Sequence, residues 1–364
     1  MRQSPGTEVL PTHTPALFDA AVARAAGLLR TGRLVALPTE TVYGLAANAL
    51  DAEAVRRIYE AKGRPAHNPI IVHVNSRAMA RRCVRSWPDT AERLARAFWP
   101  GPLTLVLPRA DLIPRVVTAG GETVGVRWPS HPFIQAVIHA CGFPLAAPSA
   151  NRSTQVSPTT ARHVIAALAG RIRLVVDGGP CPVGIESTVL DLTVNPPRVL
   201  RPGMIHEESL RATLAKRGTR NAERGMRTSA LAKRGRRSAE RGAKGYRAGQ
   251  AGALRSPGRL PRHYSPRARL ILLHWANDAE LRAQLARLGS RLCPIHIVAH
   301  TRIPSGARFE RVSVIPHDPE AFARVLYAEL HRCDEAGARL IVVEALPETP
   351  EWRALTDRLR RAAA

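Results

Sequence analysis

Residues Arg33-Leu-Val-Ala-Leu-Pro-Thr-Glu-Thr-Val-Tyr-Gly-Leu45 carry the clearest fold signal in the chain. The run Arg33–Leu37 is apolar and enters a turn, which predicts a buried strand. Pro38–Leu45 then place hydroxyls and a carboxylate after that strand, and we interpret them as a strand-to-helix turn at a ligand-binding edge. Thr and Tyr also satisfy ordinary turns, so this stretch by itself leaves a structural role open. Ala52–Lys62 has helical spacing and predicts the next helix.

Strands and helices alternate on both sides of this stretch. Further strands are predicted at Pro69–His73, Leu103–Leu107, Thr123–Arg127, Leu174–Asp177 and Thr188–Leu192. Helices are predicted at 18–30, 89–98, 131–141 and 159–169. The mixture predicts an α/β (α+β) domain over residues 15–206 that is built on a twisted mixed sheet.

The last hundred or so residues alternate in the same way. Strands are predicted at Leu270–Leu273, Ile295–Val298 and Leu340–Val343, and helices at 278–288, 319–336 and 350–362. Strands that alternate with helices are typical of parallel sheets. Residues 267–364 are therefore predicted to form a small, Rossmann-like parallel-sheet domain.

Residues 207–266 form a predicted linker whose first part is strongly basic. Residues 207–255 contain fourteen Lys or Arg and four Glu, and Leu214-Ala-Lys-Arg-Gly218 returns as Leu231-Ala-Lys-Arg-Gly235. Glycines recur too often for a long helix, so we interpret the segment as a solvated, mostly disordered tether. A basic arm that contacts RNA is the alternative.

Composition restricts the class of protein further. The chain has 364 residues, 45% of them hydrophobic, and a net charge of +25, which favours phosphate-bearing partners such as nucleotides or nucleic acids. Its five cysteines lie far apart with no C-x-x-C pair, so a disulfide framework, a structural zinc site and a catalytic cysteine are not predicted. No apolar run is long enough for a membrane span, and the first residues lack the apolar core of a secretory signal. We predict a cytoplasmic protein with no membrane association.

Two polar clusters could hold a nucleotide, although no phosphate-binding glycine loop is present. Lys62-Gly-Arg-Pro65 places two cations at the end of a helix, an arrangement suited to a polyphosphate. Helix capping by basic residues explains it equally well. Pro148-Ser-Ala-Asn151, followed by Ser157, offers hydroxyl and amide groups after an apolar run, but such residues are also common in turns.

In combination these motifs are specific. Thr39-Glu-Thr-Val-Tyr-Gly44, Lys62-Gly-Arg-Pro65, Ser149-Ala-Asn151, Glu186-Ser-Thr188 and Arg201-Pro-Gly203, in this order, resemble the YrdC-like family over nearly all of residues 15–205. Arg262-His-Tyr-Ser-Pro266 and the segments that follow it are similar to the long, two-domain members of that family, the threonylcarbamoyl-AMP synthases. Arg259-Leu-Pro261 departs from the family pattern, which has Met-Lys-Tyr there.

The resemblance implies an enzyme that makes threonylcarbamoyl-adenylate from L-threonine, bicarbonate or CO2, and ATP, with release of pyrophosphate. It implies Mg2+ as the companion of ATP, no protein-held metal, and a downstream threonylcarbamoyl transferase complex that modifies tRNA. Carried over onto this chain, the residues that would face the nucleotide are Lys62, Arg64, Asn68, Thr123, Ser149, Asn151, Ser157, Arg201 and Tyr264, with Lys62 and Arg64 as catalytic cations. Those that would face threonine are Thr41, His73, Arg127, Ala147 and Ser187, where Arg127 would pair with the carboxylate. His73 could instead be a core residue, and Arg127 a structural ion-pair former.

Two other functions fit parts of the sequence. A carbamoyltransferase of the hydrogenase-maturation kind has a similar domain but adds zinc-finger cysteine pairs, which this chain lacks. A non-catalytic module that binds double-stranded RNA or tRNA would explain the charge. It would not require the Lys-x-Arg, the Ser-x-Asn and a threonine pocket to occur together.

Overall fold

Two β-sheets, one in each half of the chain, organise the protein. The computed structural model describes residues 6–215, 263–288, 294–305 and 309–364. Predictions that fall on residues 216–262, including most of the basic repeat and Arg259-Leu-Pro261, lie outside this range.

Within the described residues, the first sheet has ten strands and is mixed. In chain order, β1 to β10 are Glu8–Pro11, Val35–Leu37, Gly44–Asn48, Val72–His73, Leu103–Pro108, Thr123–Arg127, Leu145–Ala146, Leu174–Asp177, Thr188–Asp191 and Arg198–Arg201. Their order across the sheet is β1-β8-β2-β3-β7-β4-β6-β5-β9-β10. Four neighbouring pairs are parallel, β1 with β8, β2 with β8, β4 with β6 and β5 with β9, and the rest are antiparallel. The predicted mixed sheet is confirmed.

Helices cover both faces of this sheet. They are α1 to α7, at Pro15–Arg30, Ala52–Lys62, Arg77–Cys83, Asp89–Phe98, Pro132–Cys141, Ala161–Leu168 and Glu207–Ala215. One buried cluster joins α1 and α5 through residues such as Leu29 and Phe133. The other face packs α2, α4, α6 and α7 through residues such as Ile58 and Leu94. Helix α7 belongs to this core through Leu210, so the first part of the predicted linker is helical and packed.

One prediction about the opening motif is wrong. The strand Val35–Leu37 is followed by a second strand, Gly44–Asn48, which pairs with it antiparallel, so the turn between them joins strand to strand rather than strand to helix. Gly44-Leu-Ala-Ala-Asn48 has little intrinsic strand preference, and pairing with strands on both sides decides its conformation. Strand β1 was also missed; it pairs with β8 at the edge of the sheet.

The second sheet belongs to the C-terminal domain and is parallel throughout its described strands. Its strands β11 to β14 are Arg269–Leu273, Ile295–Ala299, Arg311–Val314 and Leu340–Glu344, in the order β11-β14-β12-β13. Its helices α8 to α10 are Asp278–Arg287, Pro319–Glu335 and Arg353–Ala363, the last preceded by a 3₁₀ turn at Pro350–Trp352. The predicted small parallel-sheet domain is confirmed, with Arg311–Val314 as a strand that the sequence did not reveal. None of the described helices is long and apolar enough to span a bilayer.

The two domains share one buried apolar cluster. It joins Val42 and Ile185 of the first domain to Phe322 and Tyr327 of α9, with Tyr264 between them. The approach is close at Gly184, which has a φ of +85° and where a Cβ would lie 2.2 Å from the backbone oxygen of Ala323. Only glycine fits both the backbone conformation and the space there. The docking brings α9 and α10 beside the loop that contains Glu186.

Candidate active site

The turn after β2 presents threonine hydroxyls to a buried cavity. Thr39 Oγ1 accepts hydrogen bonds from the backbone N–H groups of Thr41 and Val42, at 3.1 and 3.2 Å, which fixes the turn. Thr41 Oγ1 accepts a 2.9 Å hydrogen bond from Nη1 of Arg127. The opening motif is therefore held in a single conformation by its own side chains and by a buried cation.

The end of helix α2 places two cations beside this turn. Gly63 adopts a left-handed φ of +60° and ends the helix, so Lys62 and Arg64 point inward rather than along the surface. Lys62 Nζ donates to the backbone oxygen of Ser149 at 2.5 Å and to that of Asn151. Arg64 donates to Asn68 Oδ1 at 2.8 Å and to its backbone oxygen at 2.9 Å. Helix capping alone would leave these side chains exposed, whereas Lys62 and Arg64 are buried.

A third group of polar side chains comes from the loop before β9 and from the end of β10. Ser187 Oγ lies 2.8 Å from Thr104 Oγ1 and accepts a 3.1 Å hydrogen bond from Nη2 of Arg201. Glu186 Oε1 accepts a 2.6 Å hydrogen bond from Ser157 Oγ. The three segments thus meet around one cavity, although they are far apart in sequence.

That cavity has an open volume of about 50 Å³. Nine of the predicted site residues line it: Thr41, Arg64, His73, Arg127, Ala147, Ser149, Ser187, Arg201 and Tyr264. Seven further residues line the cavity that were not among the predicted site residues: Thr39, Val42, Gly44, Ile71, Pro148, Glu186 and His263. The polar members of this second set lie inside the motifs quoted above, so motif membership was the signal that could have found them.

Five predicted residues lie behind the cavity or beside it. Asn68 and Ser157 hydrogen-bond the lining residues Arg64 and Glu186, Lys62 donates to the backbone oxygen of the lining residue Ser149, and Asn151 accepts from Lys62. Thr123 lines a smaller neighbouring cavity. It is four residues before Arg127 on the same face of β6, a separation of about 13 Å along a strand. A ligand that reached both would have to be extended.

The cations of the site are buried with no carboxylate within ion-pair distance among the described residues, although the charge of Glu186 acts on Arg201. Lys62, Arg64 and Arg201 are 2%, 8% and 5% exposed, and none of them forms an ion pair with a carboxylate among the described residues. Burial lowers the pKa of all three, that of Arg64 to about 10, and neighbouring cations contribute to the shift. Desolvating a cation without an anion costs several kcal/mol, so this arrangement favours an anionic ligand.

Two other basic residues of the cavity, Arg127 and His73, are not unpaired cations. Arg127 forms a buried ion pair with Glu40, as its alternative structural role implied, while still lining the cavity. Burial, reinforced by the charge of Arg127, lowers the pKa of His73 to about 3. A neutral imidazole therefore faces the cavity near neutral pH.

The linker supplies one wall of the cavity. Tyr264 is 1% exposed and has a φ of +62°, a backbone conformation that costs a non-glycine residue about 1–2 kcal/mol. The ring of His263 packs edge-on against it, with centroids 4.0 Å apart. Both residues line the cavity, and of the two only Tyr264 was carried over from the family resemblance.

No described cysteine is placed to act as a nucleophile at this cavity. Of the described cysteines, Cys83, Cys141, Cys181 and Cys333, none lines it. Burial raises the pKa of each thiol, to about 11 for Cys141 and about 12 for the other three. Thiolate nucleophiles need the opposite shift.

Comparisons with known proteins agree with this architecture. A family model described as "Telomere recombination", of the Sua5–YciO–YrdC group, matches residues 27–203, and one described as "Threonylcarbamoyl-AMP synthase, C-terminal domain" matches residues 205–364. The threonylcarbamoyl-AMP synthase of Pyrococcus abyssi is 38% identical over 93% of this chain and 93% of its own. That of Bacillus subtilis is 38% identical over 95% and 93%.

A solved structure matches both domains together. The crystal structure of Pyrococcus abyssi Sua5 complexed with L-threonine has a TM-score of 0.81 and 36% sequence identity, and the match covers 98% of this chain and 96% of that one. The fold and the site define a two-domain enzyme with a YrdC-like catalytic domain. The chain belongs to the threonylcarbamoyl-AMP synthase family.

Proposed function

We propose that this enzyme makes L-threonylcarbamoyladenylate from L-threonine, bicarbonate or CO2, and ATP. The observation that carries the proposal is a set of buried cations with no carboxylate within ion-pair distance in the described chain. Arg64 and Arg201 line the cavity, and Lys62 lies behind it, bonded to Ser149. The name of the family and the threonine complex of a relative support the choice of substrates.

The chemistry needs no nucleophilic side chain. The amine of threonine adds to CO2 with loss of a proton, or condenses with bicarbonate with loss of water, to give a carbamate. A carbamate oxygen then attacks the α-phosphorus of ATP. The bond from that phosphorus to the bridging oxygen breaks, and pyrophosphate leaves with the electron pair. Catalysis then depends on holding the two substrates in line and on neutralising phosphate charge, which is the work of positioned cations.

We keep the division of residues between the two substrates that the family resemblance implies, except that Lys62 is placed behind the cavity rather than against the nucleotide. Arg64 and Arg201 would bind phosphate oxygens, Lys62 would hold Ser149 in place, and Arg127 with Thr41 would orient threonine. Since the cavity of about 50 Å³ is smaller than the 300 Å³ or more of typical ligand pockets, ATP requires its wall to open. The linker residues His263 and Tyr264 are the part of that wall that does not belong to the first domain.

Mg2+ is proposed as the companion of ATP. In the described ranges, no group of three or more His, Cys, Asp or Glu side chains could hold a metal ion. The carboxylates beside the cavity, Glu40 and Glu186, are both paired with arginines. These residues do not fit a protein-held metal, so phosphate oxygens and water would be the ligands of Mg2+.

The product is proposed to pass to a threonylcarbamoyl transferase complex that modifies tRNA. Because its destination is tRNA, we place the enzyme in the cytoplasm. Direct contact with tRNA would be weak and is not required for adenylate formation.

Pyrophosphate release from ATP, measured with and without threonine and bicarbonate, tests the function. Release should require ATP, threonine and bicarbonate together. Turnover without threonine would contradict the proposal, and stimulation by carbamoyl phosphate would instead indicate the carbamoyltransferase. ATP-independent tRNA binding with no turnover would indicate the binding module.

A further inference from the structure

Glu186 is an active-site carboxylate that both domains hold. It lines the cavity and is 7% exposed. Its Oε1 accepts a 2.6 Å hydrogen bond from Ser157 of the first domain. Its Oε2 accepts a 3.1 Å hydrogen bond from the hydroxyl of Tyr327 and a 2.8 Å hydrogen bond from Nε of Arg358, both of the C-terminal domain. The second domain therefore contacts this cavity-lining carboxylate through two side chains that do not line the cavity themselves.

From helix α10, Arg358 also contacts three residues other than Glu186. It is 1% exposed, and its Nη2 donates to the backbone oxygen of Pro202 at 3.0 Å. Its Nη1 donates to Asp357 Oδ2 at 2.9 Å. Its guanidinium carbon lies 5.1 Å from the ring centroid of Tyr264, within cation–π range. Arg358 thus contacts Glu186 of the cavity, Pro202 next to Arg201, and Tyr264 of the linker.

The charge on Glu186 matters because the cavity is expected to take a triphosphate. Burial alone would raise the pKa of Glu186, but Arg358 and then Arg201 lower it to about 2, so the carboxylate stays ionised. An ionised carboxylate repels phosphate unless it is neutralised. Without Arg358, the cation left to balance Glu186 is Arg201, the same residue that is expected to bind the nucleotide.

We infer that Arg358 is a positioning residue for the nucleotide site. It pairs with Glu186 so that Arg201 stays available to phosphate, and it holds Tyr264 against the cavity. The C-terminal domain then acts on catalysis through one buried side chain rather than through a residue that touches substrate. This inference rests on the proposed ATP-dependent function.

The test is the affinity for a non-hydrolysable ATP analogue, measured by calorimetry on the full-length chain. Arg358→Met keeps the apolar stem and removes the guanidinium, and it should weaken analogue binding at least tenfold. Arg358→Lys keeps the charge and should stay within about threefold of the wild type. Arg360→Met, an exposed position on the same helix, is the matched control and should bind normally.

The double variant Glu186→Gln/Arg358→Met separates positioning from packing. It removes both charges, so analogue binding should recover to within about threefold of the wild type. A purely structural role predicts no such recovery. Wild-type affinity in folded Arg358→Met would overturn the inference, as would equal losses in the single and double variants.

Two further outcomes distinguish failure of the inference from failure of the proposed function. If Arg358→Met does not fold, Arg358→Lys and the folded double variant carry the test, and a tenfold loss in the double variant overturns the inference. If the wild type binds the analogue but releases no pyrophosphate with threonine and bicarbonate, the proposed function fails. The Arg358 comparison is still read from binding alone.

Discussion

Arg127 Nη2 lies 2.7 Å from Glu40 Oε1, and the two side chains are 4% and 6% exposed. Burial alone would raise the pKa of Glu40, yet the adjacent Arg127 holds it below its usual value. The cation predicted to receive the carboxylate of threonine is therefore already paired, and one of its remaining donors goes to Thr41. Threonine would add a second anion to a guanidinium whose position Glu40 fixes.

Glu40→Gln should destabilise the protein strongly. Removing one partner of a buried ion pair leaves the other charge uncompensated, which typically costs about 3–5 kcal/mol. Urea denaturation at neutral pH measures the free energy of unfolding. Glu53→Gln is the control, because Glu53 pairs with Arg56 on the exposed face of α2, where such pairs contribute at most about 1 kcal/mol. Equal losses in the two variants would show that the Glu40 pair is not a buried, coupled one.

Arg64→Met should act mainly through the nucleotide. A lost charge-assisted contact to phosphate is worth about 2 kcal/mol, or about thirtyfold in kcat/KM for ATP. Arg57→Met, on the helix that precedes Arg64 but outside the cavity, should retain wild-type kinetics. Ser187→Ala should instead raise the KM for threonine. If Arg64→Met and Ser187→Ala both behave as the wild type, the division of the cavity between the two substrates is wrong.

The protein should lose stability on acidification at pH values well above the pKa of its carboxylates. His73 has a pKa of about 3 when folded and about 6.5 when unfolded, so between these values the unfolded chain binds the extra proton. Stability then falls as the pH drops below about 6.5, by up to about 1.4 kcal/mol per pH unit for this group. His73→Gln should show a shallower slope between pH 6 and 4 than the wild type. His139→Gln, at an exposed position, is the control. Identical slopes of stability against pH in the two variants would show that the pKa of His73 is not lowered by folding.

Local sequence rules predicted where those site residues lie whose positions depend only on nearby secondary structure. Lys62 and Arg64 flank Gly63, whose left-handed conformation ends α2 as helix-capping rules require, and the two cations lie where the motif suggested. Thr123 shows the limit of a residue-by-residue transfer. Its strand was predicted correctly, but strand geometry alone places it about 13 Å from Arg127.

The contacts between the domains could not be predicted in this way. Glu186 and Arg358 are 172 residues apart, and no periodicity or spacing connects them. Their pairing depends on how α10 docks against the first domain. The strand Gly44–Asn48 was missed for a related reason, because its two neighbours in the sheet, rather than its own residues, determine its conformation.

Deleting one copy of the basic repeat tests whether residues 216–262 contact tRNA. Removing 216–232 leaves the sequence of α7 intact, because Lys233-Arg-Gly235 repeats Lys216-Arg-Gly218. Shortening the segment changes loop-closure entropy little, since even a doubling of length costs only about 0.6 kcal/mol. We expect pyrophosphate release and tRNA affinity to stay unchanged, because adenylate formation needs no tRNA and Tyr246 is the one aromatic residue in the basic segment 207–255 available for base stacking.

The salt dependence of tRNA binding gives the decisive comparison. The deletion removes one Glu and five cations, which are Lys216, Arg217, Arg220, Arg224 and Arg227. If these residues contacted phosphates, the slope of log affinity against log salt would become shallower by up to about 0.9 per contact, or several units in total. Parallel slopes for the two proteins are the expected result for a tether. A clearly flatter slope in the deletion variant would show that the repeat is a tRNA-binding arm.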